Sequence, residues 1–147
     1  MNKSRPTHQR PTSRGNVDDF ISKLLEAEAE IYFRVVEASP DAIIVIDGDG
    51  IVRLFNTQAE LLFGHDRLNV LRHPVEMLMP DEFKDRHVVQ RTNYFQEPRV
   101  REMGDGMIIR GMKRSGEVFT AQIKLAPIVT PKSGMLALAV VRRVRDV

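Results

Sequence analysis

Histidine is the residue type here best suited to metal or acid–base chemistry, because the chain has four histidines and no cysteine. The lack of cysteine excludes disulfides, thiolate zinc sites, iron–sulfur clusters, cysteine nucleophiles and cysteinyl–flavin photosensing. His65 and His73 fall in predicted loops, with no metal-ligand spacing between them. His87 differs, because helical spacing places it on one face with three neighbours. These neighbours are Phe83, Arg91 and Tyr94.

Two further patterns invite a chemical interpretation and do not support one. The acidic turn Asp47-Gly48-Asp49-Gly50 lacks the Glu that an EF-hand calcium loop needs at its twelfth position, where Gln58 stands. The acids nearest His87 are Glu82 and Asp85, and helical spacing directs Asp85 away from it. The sequence also has no Ser–His–Asp arrangement, phosphate-binding glycine loop or kinase signature. We therefore predict that the protein is not an enzyme.

Length and charge bound the class of protein. The chain has 147 residues, with 22 Lys and Arg against 20 Asp and Glu, which suits one domain. Four of the basic residues lie in residues 1–16, which contain no acid and no apolar periodicity. We predict that residues 1–16 form a disordered basic tail. No apolar run approaches the roughly 20 residues of a membrane span, which predicts a soluble cytoplasmic protein without membrane or nucleic-acid partners.

A helix is predicted first after the tail. Asn16 is a suitable N-cap, and Pro40 disfavours helix at Ser39, so the helix should end near Ala38. Within residues 17–32 an apolar stripe recurs every three or four residues, which indicates an amphipathic helix. Its members are Val17, Phe20, Leu24, Ala27 and Ile31. The stripe either packs on the protein's own core or joins two copies of the chain, and we predict a homodimer.

The elements after Pro40 alternate between strands and short helices. The five predicted strands are Ala42–Ile46, Ile51–Phe55, Met107–Lys113, Val118–Val129 and Met135–Val144. Short helices are predicted in residues 57–79, and a longer helix from its cap Asp81 to about Phe95. Strands in runs with helices between them predict an antiparallel α+β domain.

Residues 33–147 resemble a PAS domain. Ser39-Pro40-Asp41-Ala42-Ile43 resembles the entry to the first strand of that family. Ile51–Asn56 with Ala59-Glu60 and Phe63-Gly64 is similar to its second strand and first helix. The turn Arg114–Phe119 resembles the turn into the fourth strand, with Ser115 in place of the usual Asp. The end of the chain, Val141–Val147, resembles the segment that leads into an output domain.

The resemblance implies a PAS-like five-stranded antiparallel sheet with short helices on one face. PAS domains are sensory and dimerisation modules, and some hold haem, a flavin or a small metabolite. The implied organisation is a tail (1–16), an amphipathic helix (17–32) and a PAS domain (33–147). The implied partners are a second copy and a downstream signalling protein or output domain.

The segment Met79–His87 is similar to a helix motif of haem-binding oxygen-sensor PAS domains, of the FixL type and the direct-oxygen-sensor type. The final His of that motif is the proximal iron ligand, so the resemblance implies haem as the cofactor and His87 as the metal ligand. The wall opposite His87 would come from four apolar residues: Ile108, Ile123, Leu125 and Leu138. Met103 or Met107 would supply a sixth ligand, and Arg91, Arg99 or Arg101 would pair with the haem carboxylates.

The same segment also resembles PAS domains with no established cofactor. In that case His87 would hydrogen-bond a backbone carbonyl. Two positions depart from the FixL type, because Asn93 replaces the arginine near the haem carboxylates and Met107 replaces the distal arginine. Haem, another small ligand and no fixed cofactor therefore stay open, and the alternative function is a cofactor-free dimerisation or protein-interaction module.

Overall fold

The computed structural model describes residues 13–101 and 108–145. Contacts divide the chain into two units, residues 1–35 and 36–147. The predicted ligands Met103 and Met107 and most of the predicted tail lie outside the described residues.

Helix α1 spans Ser13–Ala38 and accounts for the described part of the first unit. It begins three residues before the predicted start, so Asn16 lies in its first turn and the predicted N-cap is wrong. The apolar stripe of α1 is exposed. Its largest exposed members are Val17, Phe20, Ile21, Leu24, Leu25 and Ile31.

The second unit is built on a five-stranded antiparallel sheet, which confirms the predicted α+β class. The strands are β1 (Ala42–Ile46), β2 (Val52–Phe55), β3 (Ile108–Met112), β4 (Val118–Thr130) and β5 (Gly134–Arg143). Their order across the sheet is β2-β1-β5-β4-β3, so the first and last strands pair at its centre. Strands β4 and β5 pair along their length, from Ala121 opposite Arg143 to Thr130 opposite Gly134.

Among the described residues, four helical segments lie between β2 and β3. They are α2 (Thr57–Phe63), α3 (Arg67–Val70), a 3-10 helix (Val75–Leu78) and α4 (Asp81–Gln96). Gly64 ends α2 in the left-handed region at φ 70°, as its position after the helix predicts. Asp81 is not the cap of α4, because Pro80 holds the N-cap position and makes no side-chain hydrogen bond. Asp81 lies in the first turn instead, where a carboxylate still interacts favourably with the helix dipole.

The core lies between the sheet and the short helices. Phe63 packs between Phe55 and Phe119, with ring centroids 6.1 and 5.4 Å away. Asn56 is fully buried beside them, and its Oδ1 accepts hydrogen bonds from the backbone N–H groups of Ala59 and Ile43. Asn56 is therefore the N-cap of α2. This core fixes one face of the sheet against the short helices.

Candidate ligand-binding site

A cavity of about 250 Å³ lies beside one face of the sheet and one face of α4. The helix supplies Phe83, His87 and Gln90, at spacings of four and three residues, so that one face borders the cavity. The sheet supplies mainly apolar side chains from β1, β3, β4 and β5. Among them are Ile44, Ile109, Ile123, Leu125, Ala139 and Val141. The cavity is therefore mainly apolar, with Arg86, His87 and Gln90 on the helix side and Arg110 on β3.

A second cavity of about 510 Å³ adjoins the first and has a more polar lining. The two share His87, Gln90, Ile108, Ile123 and Leu125, among others. The second cavity also has polar residues from α4 and the segment after it: Arg91, Asn93, Tyr94, Glu97, Arg99 and Arg101. An apolar pocket with a cationic mouth suits a flat apolar ligand that carries carboxylate groups.

His87 lies where the two cavities meet, and its side chain is 27% exposed. Its Nδ1 atom is 3.8 Å from Oε2 of Glu76. Burial lowers the pKa of His87, and the nearby Glu76 carboxylate offsets part of that effect. A lowered pKa favours the neutral imidazole, which is the form that binds metals.

Glu76 is a buried carboxylate in the 3-10 helix, with a side chain only 7% exposed. Its Oε1 accepts a 2.7 Å hydrogen bond from Nε of Arg91. Its Oε2 is buried and has no hydrogen-bond partner among the described residues, as is also true of His87 Nδ1. Buried polar atoms rarely lack a hydrogen-bond partner, so it is unusual that Oε2 of Glu76 and Nδ1 of His87 both do.

The lack of a side chain at Gly50 leaves the space that Arg91 needs to reach Glu76. This glycine has φ 78°, and a Cβ atom built on it would overlap the guanidinium of Arg91. The Gly50 carbonyl also accepts a 2.9 Å hydrogen bond from the N–H of Val75, the residue before Glu76. The turn after β1 therefore hydrogen-bonds the backbone next to Glu76 and leaves the space that the Arg91 side chain occupies.

The structure brings together His87 and three of the four predicted apolar wall residues, namely Ile108, Ile123 and Leu125. The prediction that Leu138 lines the cavity is wrong. Its neighbours in β5, Ala137 and Ala139, line the cavity. Because successive strand residues face opposite sides of the sheet, Leu138 faces away from it.

The predicted cationic residues have different surroundings, and Arg101 lines the second cavity. Arg99 is exposed at the second cavity, where its carbonyl accepts a 2.9 Å hydrogen bond from the Tyr94 hydroxyl. Arg91 is half-buried and paired with Glu76, so its Nε is not directed to a ligand as predicted. Sequence reasoning missed Glu76, although a lone acid in the apolar run between Pro74 and Pro80 was an available signal.

The described residues contain no group of three or more His, Asp or Glu side chains that could hold a metal ion alone. Within the described part of the chain, no helix has the length and apolar character needed to cross a membrane.

The sheet order, the short helices on one face and the cavity beneath α4 define a sensory domain of the PAS type. The PAS fold family matches residues 30–144, and the chain belongs to this family.

Solved structures agree on the fold. The PAS domain of an HTR-like protein from Haloarcula marismortui superposes with a TM-score of 0.64 at 22% identity, over 86% of this chain and 99% of that one. A PAS domain from a two-component sensor histidine kinase gives a TM-score of 0.68 at 12% identity, over 82% and 99%. The Rhodobacter sphaeroides LOV protein gives 0.65 at 15% identity, over 81% and 68%.

Two curated relatives resemble the chain in sequence. The sensor protein FixL of Bradyrhizobium diazoefficiens is 37% identical over 93 residues, which are 62% of this chain and 18% of FixL. An uncharacterised protein of Azorhizobium caulinodans is 30% identical over 90 residues, which are 60% of this chain and 12% of that protein. The chain thus spans less than a fifth of the length of either relative.

Proposed function

We propose that this PAS domain senses a small molecule through haem held on His87. The observation that carries the proposal is the position of His87, whose imidazole lies on the helix face that borders both cavities. The 37% identity to a protein named as the sensor FixL supports it, because the helix motif that contains His87 resembles that type of domain.

The residues around His87 suit a flat, apolar and anionic group. The partly buried Ile123 and Leu125 and the more exposed Ile108 form an apolar wall that would contact its flat surface. Arg99 lies at the polar mouth, where it would pair with carboxylates. Bound haem would supply an iron atom able to bind a diatomic gas. His87 would hold that iron, and movement of its helix would transmit the change.

The first test is a visible spectrum of the protein purified from haem-supplemented cells. We expect a Soret band in the wild-type protein and in His73→Ala, which removes an exposed histidine. We expect the band to be lost in His87→Ala at the same folded yield. A colourless wild-type protein that is folded and does not respond to added hemin contradicts the proposal.

A cofactor-free interaction module is the second candidate, and the pairing of Arg91 with Glu76 favours it. This largely buried ion pair already engages Arg91 and so leaves one cation fewer for a bound anion. Under this alternative the cavity stays empty or takes another small ligand, and the domain acts through its surfaces. The same spectrum separates the two functions, because only the first gives a Soret band that depends on His87.

We also propose that α1 joins two copies of the chain. The support is its exposed apolar stripe, which includes Phe20, Leu24 and Ile31. Exposed apolar surface of this extent is typical of an association site. In this proposal the part of α1 within residues 17–32 is the dimerisation helix, the residues before α1 belong to the predicted tail, and 33–147 form the sensory domain. A downstream signalling protein or output domain would receive the signal.

A further inference from the structure

Glu76 is the strongest feature that the predicted site does not include. It is a buried acid in a short 3-10 helix, so contact with solvent does not explain why a charged residue occupies this position. Its two carboxylate oxygens have different surroundings. Oε1 is 2.7 Å from Arg91 Nε, and Oε2 faces Nδ1 of His87 at 3.8 Å.

The pairing of Oε1 with Arg91 fixes the direction of the carboxylate. Arg91 reaches it across Gly50, where the missing Cβ leaves the necessary space. The Arg91 side chain is only 15% exposed, so solvent screens this charge-assisted hydrogen bond weakly. A carboxylate held by one oxygen presents the other in a defined place, and here that place is beside the imidazole of His87.

The distance between Oε2 and Nδ1 is about 0.8 Å longer than an ordinary N–H···O hydrogen bond of about 3.0 Å. A small rotation of either side chain closes that gap. With the proton on Nδ1, the two atoms are donor and acceptor. With the proton on Nε2, two acceptors face each other in a buried place, which is unfavourable. Neither atom has another hydrogen-bond partner among the described residues.

We infer that Glu76 is a positioning residue for His87: its Oε2 accepts the Nδ1–H of the imidazole, so that Nε2 keeps its lone pair for a ligand in the cavity. The role of Nε2 rests on the proposed function. The tautomer of His87 does not, because it is a property of the protein without a ligand. Carboxylates that hold the second ring nitrogen of a metal-binding histidine commonly increase metal affinity.

Nitrogen-15 NMR of the histidine rings tests the inference in the ligand-free full chain. At about pH 8, above the ordinary imidazole pKa of about 6.5, we expect His87 to carry its proton on Nδ1. Glu76→Gln should abolish this preference, because an amide can donate as well as accept. Glu82→Gln is the matched control, since Glu82 is an exposed acid on α4, and it should leave the tautomer unchanged.

A wild-type His87 with its proton on Nε2 overturns the inference, and this measurement needs no variant to fold. A Glu76→Gln protein that is folded and keeps the wild-type tautomer also overturns it. Hemin titration is the second readout, in which Glu76→Gln should bind about 10- to 100-fold more weakly than wild type. Unchanged affinity in Glu76→Gln contradicts the positioning role. Failure of the wild-type protein to bind hemin contradicts the proposed function instead, and the tautomer still decides the role of Glu76.

Discussion

Asn56 connects three parts of the second unit through one buried amide. Its Oδ1 accepts from Ile43 and Ala59, and its Nδ2 donates to the carbonyls of Val36 and Asp41 at 2.9 and 3.1 Å. The bond to Ala59 was predictable, because Asn is a common N-cap. The other partners lie 13 to 20 residues away in sequence, so only the folded chain reveals them.

Replacing Asn56 with Ala should destabilise the domain by about 3 kcal/mol, because it removes a helix cap and leaves buried backbone groups unpaired. Asn69→Ala is the control, since Asn69 is exposed in α3 and should change stability little. Urea unfolding at one pH measures both free energies. Equal values for the two variants contradict the importance of this network.

Gly50 is predicted to be necessary for the pairing of Arg91 with Glu76. Gly50→Ala should lower the free energy of unfolding by about 1–3 kcal/mol, because it combines a left-handed φ with displacement of Arg91. Gly48→Ala in the same turn is a matched control, since a Cβ there meets no atom within 4 Å and its φ is not positive. Chemical denaturation of both variants measures the difference, and similar losses of stability would contradict this role.

Among the helices and strands, α1 has the proposed function that is simplest to test, which is to join two copies of the chain. Leu24→Glu places a charge in the exposed apolar stripe, and burial of an unpaired charge between two helices is strongly unfavourable. We expect light scattering to give a dimer mass for the full-length wild-type chain and a monomer mass for Leu24→Glu. Lys23→Glu, at an exposed position on the same turn, should remain dimeric. A monomeric wild-type chain, or a Leu24→Glu dimer, contradicts the proposed interface.

Arg67 in α3 forms ion pairs with Glu37, at the end of α1, and with Glu60 in α2. Its guanidinium lies 2.9 Å from both carboxylate oxygens of Glu37 and 2.8 Å from Oε1 of Glu60. The Arg67 hydrogen bonds hold the pKa of Glu37 below its ordinary value of 4.5. No local pattern indicates this cluster, because Glu37 and Arg67 are 30 residues apart.

A group with a lowered pKa in the folded state stabilises the fold above its unfolded pKa, and this contribution is lost as pH falls through the folded value. The free energy of unfolding should therefore decrease as pH is lowered below about 4.5, with a part of about 1–2 kcal/mol that depends on Arg67. Urea unfolding of Arg67→Met should show a shallower acid dependence than wild type. Arg34→Met, which removes an exposed pair with Glu30, should not. Identical pH profiles for Arg67→Met and wild type contradict the assignment.

At the scale of the whole molecule, the sequence predicted the class of fold because alternation and turn residues are local signals. The observed bounds of β1 are the predicted ones, and each end of the other four strands lies within one residue of its predicted position. The side of β5 that faces the cavity was not predictable, because apolar residues occupy both faces of this strand from Met135 to Val141. Leu138 was assigned to the wrong face for that reason.

The candidate site was predictable only in part. His87 was found because the helical spacing and the family motif coincide on one residue. Glu76 was missed, since its role depends on the packing of the 3-10 helix against the β1–β2 turn and α4. Arg91 was found, but its partner was not, and that partner changes its predicted role from ligand contact to support of Glu76.

The most direct test of the central proposal is hemin titration of His87→Gly with and without free imidazole. We expect wild-type protein to bind one hemin per chain with a Soret band, His87→Gly to lose that spectrum, and added imidazole to restore it on the protein. Hemin with imidazole alone is the blank, and His73→Gly should behave as wild type. A His87→Gly protein that binds hemin with the wild-type spectrum and affinity before imidazole is added would contradict ligation by His87.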